Sequence, residues 1–242
     1  MIETGGLIRS LSGRRAARNF HTFVINEIGH AIVTEKFPIG TVLPSDAAMM
    51  EQFGVSRTVL REALKTIEAK GLVEARPKVG TRVSPRSRWN FFDPQVLAWH
   101  FHVRPDHRFY QSLFSVRAAL EPPMLDLAAH HRTAEHVRLM KYWCHQMETS
   151  GDSLEQFGLA GLEVYATLAD CGQDLLLRSV IGVFELTLAL ALTRDVALSG
   201  VQYRAETAQL FTDITSAVEL GDAARANALF AQSRLLDQRQ IY

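Results

Sequence analysis

Residues 40–84 read GTVLPSDAAMMEQFGVSRTVLREALKTIEAKGLVEARPKVGTRVS, and this stretch predicts two short helices followed by two strands. Ser45 is a favourable N-cap residue, and Asp46 after it suits the positive end of a helix dipole. We therefore expect the first helix to run to about Phe53, where Gly54 supplies a turn. The close succession of capping and turn residues indicates a small, tightly connected helical motif.

The second helix is expected between Ser56, another good N-cap, and Gly71, which ends it. Its core-facing residues recur at i, i+3, i+4 and i+7: Leu60, Ala63, Leu64 and Ile67. Its opposite face is basic and carries a hydroxyl: Arg57, Thr58, Arg61 and Lys65. Such a helix fits the major groove of DNA, where arginine bonds guanine O6 and N7 and the other side chains reach bases or phosphates.

Residues 72–75 and 81–83 predict two short strands joined by a basic turn, which is placed to lie on phosphate or in the minor groove. The simpler alternative is a solvated amphipathic helix followed by a surface hairpin. Cap, turn, second cap, basic face and basic wing in succession favour a DNA-binding winged helix-turn-helix. The predicted DNA-binding residues are Ser45, Ser56, Arg57, Thr58, Arg61, Lys65, Arg76, Lys78 and Gly80.

The same stretch resembles the GntR family of bacterial transcription regulators. The pattern is Gly40-x-x-Leu43-Pro44-Ser45-Asp46, then Gly54-Val55-Ser56-Arg57-x-x-Leu60-Arg61-Glu62-Ala63-Leu64, then Gly71-Leu72-Val73 and Gly80-Thr81-x-Val83. The resemblance implies operator contacts from Arg57, Thr58 and Arg61, helped by the wing around Lys78 and Gly80. Many relatives carry a base-contacting arginine where this chain has Ala47, so the usual operator sequence is not carried over.

The composition, 47% apolar, is that of a globular chain, and one end of the chain is basic. Its formal net charge is zero, but residues 1–88 hold 14 Lys and Arg against 8 Asp and Glu, and the remainder holds 12 against 18. A basic head on an acidic body suggests that only the head meets a polyanion. The two cysteines, Cys144 and Cys171, form no disulfide framework, and no run of about 18 apolar residues occurs. We expect a cytoplasmic protein without a membrane span.

Four segments are predicted along the chain. Residues 1–18 are expected to form a flexible arm, 19–84 the winged helix-turn-helix, 85–94 a linker and 95–242 a helical domain. Asp93 and Pro94 look like the N-cap and first residue of a helix. The segment Trp89-Asn-x-x-Asp-x-x-Val-Leu-x-Trp99 resembles FadR-like regulators that respond to sugar acids; the alternative is an interdomain hinge packed by aromatic rings.

The fold predicted is mainly α, with a C-terminal all-α bundle of six or seven helices. The candidate helices are residues 106–130, 133–149, 153–170, 174–194, 201–219 and 222–239, with a kink at Pro122 and Pro123 in the first of them. The order of domains resembles FadR-like regulators with an FCD ligand-binding domain. The likeness lies in Val116-Arg117-x-x-x-Glu121 and in Ala217-Val218-x-x-Gly221-Asp222.

Many FCD domains hold a divalent metal through one Asp and three His, and the resemblance places these ligands at Ala160, Val164, Phe211 and Ser233. Three of these side chains are hydrocarbon and a neutral hydroxyl is a poor ligand, so we predict that the metal site is absent. No other cofactor is expected. A different site built from the histidines is the less favoured alternative to surface or capping roles: His130, His131, His136 and His145.

An effector is predicted to bind the helical domain directly. Arg117 is the first choice, because a guanidinium pairs with an organic carboxylate. Glu121 lies one turn later, so the two residues fit a structural ion pair equally well. Tyr165 and Arg178 are further candidates.

Together these features predict a DNA-binding transcriptional regulator, a homodimer and a repressor, whose operator affinity responds to a small organic acid, in particular a sugar acid. One rival is a regulator whose helical domain only dimerises. Another is an enzyme with an accessory winged domain. The sequence has no Gly-rich phosphate loop, nucleophile elbow or metal-ligand spacing, so we predict no enzymatic activity.

Overall fold

The structure is a computed structural model that describes residues 5–11, 20–101, 107–194 and 197–242. It divides into two compact units. The winged unit spans Arg15–Arg104, and the helical unit combines Met1–Arg14 with Pro105–Tyr242. No helix in the described part of the chain is both long enough and apolar enough to cross a bilayer.

The winged unit contains four α-helices and a two-stranded antiparallel sheet within residues 20–101. Its elements are α2 (Phe20–Val33), α3 (Asp46–Phe53), α4 (Arg57–Ala69), β1 (Val73–Arg76), β2 (Gly80–Val83) and α5 (Pro94–Phe101), with a short 3-10 helix at Arg86–Arg88. The predicted caps of α3 and α4 are confirmed. The Ser45 hydroxyl accepts a hydrogen bond from the Ala48 N–H at 3.3 Å, and the Ser56 hydroxyl accepts one from the Val59 N–H at 3.4 Å.

The core of this unit lies between α2, α4 and α5. Ile28, Leu60, Ala63, Ile67 and Val96 are fully buried there. Three of them, on α4, belong to the stripe that the sequence predicts from helical spacing. Burial of this stripe fixes the rotation of α4, so its basic residues point away from the core.

Helix α5 packs within the winged unit, although its residues were assigned to the helical domain from sequence. Its Trp99 ring lies against Gly29 of α2, and the indole N–H donates to Asn26 Oδ1 at 3.1 Å. Asp93 is the predicted N-cap, since its Oδ1 accepts from the Gln95 N–H at 2.9 Å. The expected linker, residues 85–94, is also packed, because Trp89 is buried and Lys70 pairs with Asp93 at 2.6 Å.

Every regular secondary-structure element among the described residues of the helical unit is an α-helix. They are α1 (Gly6–Ser10), α6 (His107–His131), α7 (Ala134–Glu148), α8 (Leu154–Cys171), α9 (Leu175–Ser179), α10 (Ile181–Leu192), α11 (Gly200–Leu220) and α12 (Ala223–Ile241). The helix expected over residues 174–194 is divided at Val180. With φ −96° and ψ 9°, the backbone of Val180 departs from α-helical geometry, and this residue is both the C-cap of α9 and the N-cap of α10. Helix α6 continues through Pro122 and Pro123.

The structure differs from the expected flexible arm over residues 5–11. Helix α1 packs on α8 and α10, with Ile8 fully buried against Gly158. The buried carboxylate of Glu185 accepts hydrogen bonds from the backbone N–H groups of Leu7 at 2.7 Å, Ile8 at 3.2 Å and Gly5 at 3.3 Å. These N–H groups have no partner inside the helix, so the carboxylate caps α1. Residues 1–4 and 12–18 of the expected arm lie outside the described part of the chain.

Candidate functional site

The basic face of α4 is the first candidate site. Arg57, Thr58, Arg61 and Lys65 are all exposed, whereas Leu60 on the opposite face is fully buried. The Lys65 ammonium forms an ion pair with Glu62 at 2.8 Å, but both side chains are more than half exposed, so the pair is weak and Lys65 stays available to an anion. Capped, amphipathic and basic on its outer face, α4 has the form of a major-groove recognition helix.

The β-hairpin presents the second group of predicted contacts. Arg76, Lys78 and Gly80 are exposed, and Lys78 adopts a positive φ of 63° at the turn. Glu74 pairs with Arg76 at 2.6 Å and with Arg88 at 2.5 Å. The hydrogen bond from Arg76 is the main reason that the pKa of the Glu74 carboxyl lies below its usual value. Arg76 is therefore partly neutralised within the protein, while Lys78 projects from the tip of the wing.

The two serines predicted to contact DNA also cap the helices that they precede. Ser45 and Ser56 are exposed, and both hydroxyls accept backbone hydrogen bonds at the starts of α3 and α4. Helix N-termini with free N–H groups are suited to phosphate. Ala47, where many relatives have arginine, is exposed on α3. The methyl side chain of Ala47 offers no hydrogen-bond donor to a base edge.

The second candidate site is a buried charge cluster inside the helical unit. Arg117 of α6 is completely buried, and its Nε donates to Glu121 at 2.8 Å. Its Nη1 donates to Asp237 Oδ2 at 2.5 Å and to the Thr187 hydroxyl at 3.1 Å. Its Nη2 faces the Tyr165 hydroxyl at 3.4 Å. Four helices thus supply the partners of one guanidinium, and the predicted ion pair between Arg117 and Glu121 is present.

Each of the two carboxylates has a further partner. Tyr203 of α11 donates its hydroxyl hydrogen to Asp237 Oδ1 at 2.6 Å. Arg234 of α12 pairs with Glu121. With all four charged groups ionised, two arginines balance two carboxylates and the cluster is neutral. Because every carboxylate oxygen in it has a donor, burial of these charges is tolerated.

The surroundings of the cluster are aromatic. The Arg117 guanidinium carbon lies 5.4 Å from the centre of the Phe184 ring and 6.0 Å from that of Phe114. Burial by itself would lower the pKa of Arg117, but the neighbouring Tyr165 and the two carboxylates raise it above its ordinary value. Burial raises the pKa of the Tyr203 and Tyr165 hydroxyls, so both remain protonated donors at neutral pH.

The residues at the four family metal positions do not fit a metal. Ala160, Val164, Phe211 and Ser233 are buried, and the first three carry no donor atom. Phe211 instead packs edge-on against Tyr165, with ring centres 5.1 Å apart. Ser233 is buried beside Tyr165, with which its side chain interacts. Across the described residues, no three His, Cys, Asp or Glu side chains come together as a metal site.

The remaining predicted residues lie elsewhere on the helical unit. His136 Nδ1 accepts from the Thr133 N–H at 3.3 Å and completes a capping box at the start of α7. His130 and His145 are exposed. Arg178 of α9 forms an ion pair with Asp170 at 3.0 Å, with its side chain about a third exposed. None of these contacts connects Arg178 to the buried charge cluster in the described structure.

Comparison with known sequences decides the family. The sequence model of the bacterial regulatory proteins of the gntR family matches residues 21–83, and that of the FCD domain matches residues 112–233, about half of the chain. The chain belongs to the GntR family, in its FCD branch. The predicted order of a winged domain followed by an FCD domain is thereby confirmed.

Two curated relatives of this GntR-family chain come from Escherichia coli strain K12. An HTH-type transcriptional regulator, YieP, is 41% identical over 120 residues, or 50% of this chain and 52% of the relative. The galactonate operon transcriptional repressor is 29% identical over 142 residues, or 59% of this chain and 62% of the relative. The chain thus spans little more than half the length of these relatives. Both are named as regulators, which agrees with the prediction that the chain is no enzyme.

A solved structure shows the same fold over nearly the whole chain. The Lar protein, described as controlling the expression of the Listeria monocytogenes agr system, superposes with a TM-score of 0.64 at 17% identity. The superposition covers 93% of this chain and 99% of that one. At this identity the match concerns the fold alone.

Sequence reasoning missed four members of the buried charge cluster: Thr187, Tyr203, Arg234 and Asp237. A signal for one of them was present. Ala226, Phe230, Ser233 and Asp237 recur at helical spacing on α12, and all are buried. An acidic residue on the apolar stripe of a helix requires a buried partner, and Arg117 is that partner.

Proposed function

We propose that this chain is a DNA-binding transcriptional repressor that binds operator DNA through the exposed basic face of α4. The observation that carries the proposal is the opposition of the two faces of this helix. Arg57, Thr58 and Arg61 are exposed, whereas Leu60 and Ile67 are fully buried in the core. The guanidinium groups are therefore free to reach base edges, and Lys78 in the wing is placed for a neighbouring phosphate.

We propose further that the protein acts as a homodimer on a palindromic site. Two winged heads related by a two-fold axis read half-sites about 10–10.5 base pairs apart or a multiple of this spacing. The dimeric arrangement and repression are both supported by membership of the family, in which one relative is named as a repressor. The cytoplasm is the compartment in which such a protein meets DNA.

Selection of binding sequences from a random duplex library tests DNA binding and symmetry together. We expect enrichment of one motif with two-fold symmetry. The R61A variant should then bind that motif about 1–3 kcal/mol more weakly, with a salt dependence reduced by about one phosphate contact if Arg61 contacts the backbone. R138A is the matched control, because Arg138 is exposed on α7 of the helical unit and pairs with Glu135. Unchanged binding by R61A would refute the role of α4.

The effector proposed for the helical unit is a small organic acid of the sugar-acid class, bound at Arg117 and Tyr165 with Glu121 as a further contact. Support comes from the guanidinium of Arg117 and from the relative named for the galactonate operon, galactonate being a sugar acid. Arg178, at the surface on α9, is the weakest of the four predicted contacts. Titration of the protein on its selected operator with galactonate, gluconate and lactate should change operator affinity about 5–150-fold for the correct acid.

The second candidate is a helical unit that dimerises without an effector, and one observation favours it. Arg117 already donates to Glu121 and Asp237, so its charge is balanced within the protein. Under this alternative no acid in the panel alters operator affinity, and none raises the melting temperature of the wild-type protein.

A further inference from the structure

Asp237 is held inside the helical unit as a bound ligand would be. Its side chain is buried, and each of its two oxygens accepts one strong hydrogen bond. Oδ2 accepts from Arg117 Nη1 at 2.5 Å, and Oδ1 accepts from the Tyr203 hydroxyl at 2.6 Å. An arginine and a protonated tyrosine aimed at the two oxygens of one carboxylate form a recognition site for a carboxylate.

The donors of this site come from other helices than the carboxylate. Arg117 lies on α6, Tyr203 on α11 and Asp237 on α12. Glu121 differs in that one of its donors, Arg117, lies on the same helix, and the other, Arg234 of α12, has a partly exposed side chain. Asp237 is therefore the carboxylate whose contacts are wholly buried and join separate helices.

We propose that Arg117 and Tyr203 form a carboxylate-binding site in which Asp237 is a tethered, intramolecular ligand. The site takes formate, the smallest carboxylate, when the carboxylate of Asp237 is removed. This proposal goes beyond the proposed function, since it requires neither DNA nor a natural effector. It also defines what an effector acid would do at Arg117, which is to compete with Asp237.

The driving force for such binding is the charge that removal of Asp237 leaves behind. Without this carboxylate, two arginines face the single carboxylate of Glu121, and one positive charge in a completely buried position is unbalanced. An unpaired buried charge and an unsatisfied buried donor each destabilise a fold strongly. An anion that fits the space restores both the charge balance and the two hydrogen bonds, so its binding stabilises the fold.

The test is the melting temperature of Asp237→Ala as sodium chloride is replaced by sodium formate at constant ionic strength and pH 7. Formate is the probe because this variant keeps Cβ and loses only the three heavy atoms of the carboxylate. We expect the melting temperature of this variant to be low in chloride. It should rise by about 3–6 °C once formate exceeds its Kd roughly tenfold. Wild type and Asp152→Ala should show no such rise. Asp152 is the matched control, because it also lies beside an arginine, Arg204 at 3.5 Å, but is fully exposed.

Two further variants separate binding from a general effect of formate. Asp237→Asn is similarly destabilised but leaves no space, so it should not respond to formate. Asp237→Ala combined with Tyr203→Phe lacks one donor, so a higher formate concentration should be needed for half the effect. If Asp237→Ala does not fold in chloride, the yield of refolding from urea in formate, compared with chloride, becomes the measurement.

Equal responses of Asp237→Ala and Asp152→Ala, in melting temperature or refolding yield, would overturn the proposal. The result is independent of the proposed function, because no operator is present. If no sugar acid changes the operator affinity of the wild-type protein, the proposed effector is refuted but the formate result for Asp237→Ala stands. If a sugar acid changes operator affinity but formate does not stabilise Asp237→Ala, only the carboxylate-binding site is refuted.

Discussion

The carboxylate of Glu185 on α10 accepts a hydrogen bond of 2.7 Å from the backbone N–H of Leu7, a residue 178 positions earlier in the chain. It also accepts hydrogen bonds from the N–H groups of Gly5 and Ile8, so one buried side chain caps the N-terminus of α1. Burial raises the pKa of this carboxyl above its usual value, and the three backbone donors oppose that rise. The segment expected to be a loose arm is thus fixed to the helical unit by polar as well as apolar contacts.

Replacement of Glu185 by alanine should release α1. The variant leaves the N–H groups of Leu7 and Ile8 without an acceptor, and we expect it to lower the free energy of unfolding by about 1–3 kcal/mol. Limited proteolysis should cut the first 20 residues faster than in wild type. Replacement of the exposed Glu163 on α8 by alanine should change the cleavage rate little, and equal cleavage in both variants would contradict the capping role.

Gly29→Ala should destabilise the winged unit, although alanine is normally better than glycine in a helix. The propensity gain is about 1 kcal/mol, but a Cβ at this position would lie 2.4 Å from the Trp99 ring. Because that ring is fixed by its hydrogen bond to Asn26, the steric overlap should outweigh the gain in helix propensity. The free energy of unfolding should fall by about 1–3 kcal/mol. Gly6→Ala, which meets no atom within 4 Å, is the control and should be neutral or slightly stabilising.

His100 should make the winged unit less stable in mild acid. Burial lowers the pKa of its imidazole below the ordinary value of 6.5, although a hydrogen bond to the Val96 carbonyl opposes this. The unfolded chain then binds the proton more readily than the folded unit, so stability is lost as the pH falls below 6.5 toward the lowered pKa. Urea unfolding of wild type and His100→Phe between pH 8 and pH 5 should show the steeper loss in wild type. Parallel curves would refute this prediction.

Arg117→Met should be the most damaging substitution in the helical unit. It leaves the Asp237 carboxylate buried without its cation, which should cost about 3–5 kcal/mol. Arg178→Met removes only a partly exposed pair and should cost less than about 1 kcal/mol. The double variant Arg117→Met with Asp237→Leu should recover most of the loss, because no unpaired charge remains on that side of the cluster. A double variant less stable than Arg117→Met would contradict this account.

The winged unit could be predicted closely because its signals are local. The caps at Ser45 and Ser56 and the apolar stripe of α4 act within one or two helical turns, and the structure agrees with them. The assignment of α5 could not be predicted from such signals. Its place depends on Trp99 fitting against Gly29, a contact between residues 70 positions apart.

The buried charge cluster could be predicted only in part. The i,i+4 pair of Arg117 and Glu121 was visible in the sequence, since both residues lie on one helix. Whether Arg117 faced an effector or an acid of its own chain depended on Asp237, which is 120 residues away. Periodicity places a residue on a face of its helix, but it does not state which distant side chain it meets.

In chain order, the winged unit is inserted into the helical unit and does not simply precede it. Helix α1 packs on α8 and α10, and the winged unit is encoded between α1 and the rest of the helical unit. Cleavage of the connection before the winged unit leaves the two units covalently joined through the connection after it. Cleavage of the connection after the winged unit leaves them joined through α1, which stays packed in the helical unit. Separation of the two modules requires two cuts, and a helical unit expressed from residue 105 onward would expose the apolar groove around Gly158 that Ile8 now fills.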